Sequence, residues 1–304
     1  MNERIIKISS SSDGLELDAR LFIPESEIKA VVMFAHGMAE HKERYFDFIN
    51  FLNEHGYACL IHDHRGHGQS VKDKKDLGYF GDESSDFIVE DLHDVYLYIT
   101  ENFVGKPVYL FSHSMGTLVS RKYLKQYDDT LEKLVICGAP CDNPGKAFGL
   151  QVVKLIKAIK GDHHRSKLIN KIIFGSYDGH FEGQLENRWL SANQANVQAY
   201  NEDPLDGFIF TTNGFMNLFN LMIDVFNPDG WAMKNKQLPI LFIAGADDPV
   251  IGSLKQWQAS KDYLIARGYS NIKAISYPGL RHEILNETNH DVVYRDVLNF
   301  FETK

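Results

Sequence analysis

Short apolar runs alternate with helically spaced apolar positions along most of the chain. Residues 30–35 (AVVMFA) form a continuous apolar run ending in His36-Gly37, as expected of a strand buried on both faces. Residues 43–55 place Tyr45, Ile49 and Leu52 at helical spacing and close on Gly56, which predicts a helix. Residues 57–61 predict the next strand, which runs into the polar loop His62-Asp63-His64-Arg65-Gly66-His67-Gly68. Further on, Ile88, Leu92, Val95 and Ile99 mark a helix, 107–111 a strand, 116–126 a helix and 134–137 a strand. After a long interruption come strands at 239–244 and 272–277, each followed by a helix. Residues 4–23 open the chain as two strands joined by the turn Ser12-Asp13-Gly14.

Repeated strand–helix alternation predicts an α/β fold, with a mainly parallel central sheet covered by helices on both faces. Ligands of such sheets bind beyond the carboxyl ends of the strands, so the chemistry belongs in loops that follow strands. The interruption, about residues 142–236, is helix-rich and contains the aromatic and methionine-rich stretch 208–226. It falls between two strands of one sheet and is expected to be an inserted helical lid. The expected organisation is a single domain over 1–304, with a core at 1–141 and 237–304.

Composition narrows the class. With 304 residues, 44% apolar and 24% charged, the chain can bury a full core. A formal charge of -9 argues against nucleic acid as a partner, because phosphate binding needs a basic face. No run of 18 apolar residues occurs, so no membrane span is expected. Met1-Asn2-Glu3-Arg4 leads straight into the strand pattern without the apolar core of a signal peptide. Cys59, Cys137 and Cys141 are odd in number and two lie in strand-like runs, which predicts buried free thiols and a cytoplasmic location.

The central chemical signal is the strand leading into Ser112-His113-Ser114-Met115-Gly116 and then a helix. Acyl transfer needs a hydroxyl raised on a sharp turn, with small neighbours so that the next helix can pass close. Ser114 is therefore the candidate nucleophile, with Ser112 where the motif usually has glycine. A serine hydroxyl needs a base, and the base needs a carboxylate to orient it; on this fold the order is Ser, Asp or Glu, then His. Asp248, just past a strand, is the candidate acid, with Asp247 and Asp142 as alternatives. His282, just past the next strand, is the candidate base. The oxyanion of the tetrahedral intermediate needs backbone donors. The N–H groups of Met115, directly after the nucleophile, and of Met38, in the loop His36-Gly37-Met38-Ala39-Glu40, are the candidates.

Several segments together resemble the monoacylglycerol lipase and lysophospholipase-like α/β-hydrolases, a group within the serine aminopeptidase S33-type hydrolases. Residues 36–45 (HGMAEHKERY) are similar to their HGxxEHxxRY segment, and 63–70 (DHRGHGQS) to their DxxGHGxS loop. Asn201-Glu202-Asp203-Pro204-Leu205 resembles a segment of their lids, and 279–287 their catalytic-histidine loop. The resemblance implies an esterase or lipase with Ser114, Asp248 and His282 as triad, and Met38 and Met115 as oxyanion donors. It also implies a helical lid over an acyl pocket, and no cofactor. Monoacylglycerols or lysophospholipids are the expected substrates, cleaved through an acyl-enzyme.

Other readings compete. His62-x-His64-x-x-His67 has the histidine spacing of a two-metal hydrolase, but Gly66 stands where a ligating Asp is needed, so a structural loop and no metal are expected. An aminopeptidase or amidase could use the same triad, with Glu182, Glu186, Glu202 or Asp203 holding a free amine. A non-catalytic binding module would not need the ordered triad. His113 and Met115 are expected only to pack beneath the nucleophile, and His41, His55, His93, His163, His164, His180 and His290 to be surface or loop residues. Phe208, Phe215, Phe219 and Met222 are candidates for the acyl-pocket wall. Residues 146–171 are basic and amphipathic; they are expected to lay their apolar face down, with at most transient contact with anionic lipid surfaces. The partner is then a small ester or lipid, and the oligomeric state stays open.

Overall fold

The computed structural model describes residues 2–303. Strands β1 (Asn2–Ser9) and β2 (Glu16–Ile23) form the opening hairpin, followed by β3 (Ala30–Ala35), α1 (Phe46–Glu54), β4 (Tyr57–His62) and α2 (Phe87–Asn102). Then come β5 (Val108–His113), α3 (Met115–Tyr127) and β6 (Lys133–Cys137). Four helices intervene before the sheet resumes: α4 (Lys146–Lys160), α5 (Lys167–Phe174), α6 (Gln194–Glu202) and α7 (Thr212–Asp224). The chain ends with β7 (Ile240–Gly245), α8 (Leu254–Arg267), β8 (Ile272–Tyr277) and α9 (Asp291–Glu302).

The strands form one eight-stranded sheet in the order β1-β2-β4-β3-β5-β6-β7-β8, antiparallel at β1/β2 and β2/β4 and parallel elsewhere. Strand alternation divides the core. Val31, Met33 and Ala35 face a layer that includes α2, α3 and α8, while Ala30, Val32 and Phe34 face α1 and α9. From β3 the chain steps to β4 on one side, then returns to place β5 on the other. That reversal opens a crevice at the carboxyl ends of β3 and β5, where an open α/β sheet binds its ligands.

The helix expected over 43–55 begins instead with a 3-10 turn at Lys42–Tyr45. Lys42 turns inward there to reach Asp18 and Asp63, both at 2.6 Å. The apolar face of α4 is not all turned down. Leu150 and Val153 are buried, but Phe148, Leu155 and Ile159 are 75%, 63% and 70% exposed. The apolar residues occupy two sides of the helix, and only one side can meet the core.

Candidate active site

β5 runs directly into Ser114, whose backbone takes φ 51° and ψ −118° immediately before α3. A non-glycine residue held at positive φ stores strain of order 1–3 kcal/mol, and persists only when its surroundings fix it. Here the Ser114 N–H donates to the Cys137 carbonyl at 2.9 Å, and Thr117 Oγ1 donates to the Ser114 carbonyl at 2.7 Å. The turn also brings α3 against β3: a Cβ on Gly116 would lie 2.0 Å from the Ala35 carbonyl oxygen, so a side chain cannot be fitted. Ser112 is accommodated because its hydroxyl is satisfied. It donates to the Val135 carbonyl at 3.0 Å and accepts from Ser120 at 2.9 Å.

His282 Nδ1 lies 2.8 Å from Asp248 Oδ2, and both residues are buried. The other Asp248 oxygen accepts the Val250 N–H at 2.8 Å, which fixes the carboxylate in the turn after β7. Asp247 is exposed, and Asp142 pairs at the surface with Lys146. Of the three carboxylates considered, Asp248 is the one beside the imidazole. Gly138, at φ +61°, provides the floor: an added Cβ would stand 3.2 Å from His282 Cε1.

Ser114, His282, Met38 and Met115 line one largely apolar cavity of about 510 Å³. Met115 is the first residue of α3, so its N–H has no carbonyl partner within the helix. Phe208, Phe219 and Met222 also line the cavity. Phe215, expected in its wall, does not. It lies at the start of α7, fully buried in the core, with its ring 5.9 Å from that of Phe210.

A buried polar network lies behind the cleft. Glu40 accepts from the Gly37 N–H and from Tyr45 Oη at 2.7 Å, and Tyr45 Oη is 2.9 Å from His113 Nδ1. Burial opposes charge on both Glu40 and His113, but their mutual attraction wins, lowering the Glu40 carboxyl and raising the His113 imidazole. His113 therefore does more than pack beneath Ser114; it ties β5 to the loop after β3. Arg44 sits between Glu40, Asp206 and Glu283, at 3.3, 3.1 and 2.5 Å. Burial, followed by the neighbouring carboxylates Glu40 and Glu283, pushes Asp206 up to about 8 despite Arg44. His41 is buried rather than on the surface, 3.2 Å from Asp203, because residues 203–206 of the insertion fold over it.

The insertion is also fastened to the histidine loop. Glu283 N–H donates to the Leu190 carbonyl at 2.7 Å, Glu287 accepts from the Ala192 and Asn193 N–H groups, and Arg281 reaches the Arg188 and Ser191 carbonyls. Trp189 places its ring 5.2 Å from that of His282.

His62, His64 and His67 are buried, with five ring nitrogens lacking a hydrogen-bond partner. They do not converge as ligands. Among the described residues, the His/Cys/Asp/Glu group whose ligand atoms fall within 4.8 Å of one another is His41, Asp203 and Asp206.

Sequence reasoning assigned no role to Glu40, Arg44, Tyr45, Glu283 or Trp189. For the first three, a signal was available in the segment 36–45, where charged residues follow a buried strand. For Trp189 nothing local pointed inward.

A family model described as Serine aminopeptidase, S33 matches residues 26–289. Monoglyceride lipase of Mus musculus is 24% identical over 294 residues, covering 94% of this chain and 89% of that protein. Monoacylglycerol lipase of Mycolicibacterium smegmatis is 26% identical, covering 94% and 93%. A thermostable carboxyl esterase from Bacillus coagulans, solved in complex with glycerol, aligns with a TM-score of 0.91 at 26% identity, covering 99% of this chain and 98% of that one.

Proposed function

The chain belongs to the serine aminopeptidase S33 family of α/β-hydrolases, and from that we propose that it is a serine hydrolase cleaving carboxylic esters, with Ser114, Asp248 and His282 as its triad. The observation that carries the assignment is the 2.8 Å contact of His282 with Asp248, in the same cavity as a serine held at positive φ. His282 removes the Ser114 proton as the hydroxyl attacks the ester carbonyl, while Asp248 holds the imidazole in the required tautomer. The N–H groups of Met38 and Met115 receive the oxyanion. Collapse releases the alcohol, and water repeats the sequence on the acyl-enzyme.

Monoacylglycerols or lysophospholipids are the substrate class. The relatives carry lipase names, and Phe208, Phe219 and Met222 offer an apolar wall to an acyl chain. The helical insertion at about 142–236 acts as the lid. An aminopeptidase fits less well. Glu182, Glu186, Glu202 and Asp203 lie outside the cavity lining, and the acids within it, Glu40 and Glu283, are already held by Arg44. A cytoplasmic site of action suits the three free cysteines, and no helix among the described residues is long and apolar enough to cross a membrane.

Contact with an anionic lipid surface would run through α4 and α5. There Phe148, Leu155, Ile159, Leu168 and Ile172 are exposed beside Lys154, Lys160, Lys167 and Lys171. Cosedimentation with anionic vesicles that weakens as salt rises checks this contact.

A fluorophosphonate should label the protein at one site and block hydrolysis of p-nitrophenyl esters. Ser114→Ala should lose both labelling and activity while remaining folded. Labelling that survives in that variant would remove Ser114 as nucleophile.

A further inference from the structure

Two aromatic rings lie close to His282. One is His113, from the strand that delivers Ser114, with ring centroids 4.7 Å apart. The other is Trp189, at 5.2 Å and an interplanar angle of 40°. Trp189 comes from the insertion, and several contacts hold it in place. Its backbone N–H donates to Asp178 Oδ1 at 3.2 Å, its ring stacks on Phe174 at 15°, and Tyr177 meets it edge-on at 5.2 Å. The next residue, Leu190, accepts the Glu283 N–H.

During acyl transfer the buried imidazole becomes an imidazolium. Asp248 faces it on Nδ1. The other groups around it do not supply further net negative charge. His113 is drawn towards its cation by Glu40, Glu283 is neutralised by Arg44, and the Tyr177 hydroxyl and Cys137 thiol nearby are both pushed up by burial. The indole face, within 6 Å, is an attractive surface that costs no additional buried charge.

We propose that Trp189 is a positioning residue that favours the imidazolium form of His282 through its indole face, so that the insertion contributes to the chemical step as well as to substrate choice. The proposal rests on His282 being the general base.

The test is the pH dependence of ester hydrolysis in Trp189→Leu and Trp189→Phe. Loss of the aromatic face should lower kcat about fivefold to thirtyfold, the range expected for a cation–aromatic contact at a desolvated site. It should also move the acid limb of the kcat/KM profile to lower pH in the Leu variant, while Phe restores most of both. The direction is decisive. A merely structural loss admits water, which favours the charged imidazole and moves the limb to higher pH. A limb that stays or moves up, or a Phe variant no better than Leu, overturns the proposal.

A second measurement needs no turnover. Imidazolium quenches indole emission, so wild-type tryptophan fluorescence should step down on acidification, and the step should vanish in His282→Gln. A step that persists in His282→Gln overturns the contact. If instead fluorophosphonate labelling fails to depend on Ser114, the hydrolase reading falls while the fluorescence result still reports on the contact between Trp189 and His282.

Discussion

Arg44 Nη2 lies 2.5 Å from Glu283 Oε2, so the residue after His282 is gripped by a cation from the loop that follows β3. The same guanidinium serves Glu40 and Asp206. Arg44→Met leaves Glu283 buried without its cation and takes one of two from Glu40, and should cost about 3–5 kcal/mol of stability in denaturant titrations. Arg44→Lys, which keeps the charge but cannot fork among three partners, should lose less. A Met variant as stable as wild type would mean the network is dispensable.

The acid assignment separates by rate. Asp248→Asn should lower kcat by about 10⁴, because the imidazole would then be held in the wrong tautomer. Asp247→Asn, at an exposed position, should change little. If both substitutions are mild, Asp142 becomes the residue to examine, despite its surface pairing with Lys146.

Stability should fall in mild acid. Burial lowers the imidazoles of His36 and His64 well below 6.5, and those of His62 and His67 to about 4. The unfolded chain takes up these protons below about pH 6.5 and the folded chain does not. Their contribution is therefore whole above that pH and is lost as the pH falls from 6.5 towards 4. Each such histidine steepens the loss by about 1.4 kcal/mol per pH unit. Urea titrations at pH 7, 6 and 5 read the slope. His62→Leu, which removes a ring with no hydrogen-bond partner, should reduce it by one proton. An unchanged slope in that variant would exclude His62 as a contributor.

Acyl length should be read by Phe219 and not by Phe215. Each methylene buried in the cavity is worth about 0.8 kcal/mol, roughly fourfold, so kcat/KM should climb from acetate to medium-chain esters and then level. Phe219→Ala should flatten the climb while sparing acetate. Phe215→Ala should keep the climb but cost about 3–5 kcal/mol of stability, as for a core aromatic. A wild-type rate that peaks at acetate would defeat the lipase-like reading.

Much of this architecture could be read from local pattern. The run 30–35 coincides with β3, and Ile88, Leu92, Val95 and Ile99 are all buried on α2. Periodicity works there because each element buries its face against the same sheet. It was weaker in the insertion, where α4 carries apolar residues on two sides and only tertiary packing decides which side is covered. The side chains close to chemistry divide in the same way. Ser114, Asp248 and His282 follow strands, where position in the fold can be inferred. Phe215 and Phe219 lie one turn apart on α7, and only the folded packing decides that Phe219 lines the cavity while Phe215 is enclosed in the core. Trp189 reaches His282 from 93 positions away.

The bonds between residues 188–193 and the loop 281–287 bear on how such enzymes diversify. An insertion that only covered the cleft could be exchanged between relatives as a cassette, altering diet without touching the engine. Here the Leu190 carbonyl, the Ala192 amide and the Trp189 ring meet His282 and the loop that carries it. A chimera that replaced all of 142–236 would inherit a loosened histidine along with its new specificity. Interchangeable parts should therefore be confined to α4, since Phe174 at the end of α5 stacks on Trp189, and drift in the stretch around 187–207 should be constrained by its contacts with the His282 loop.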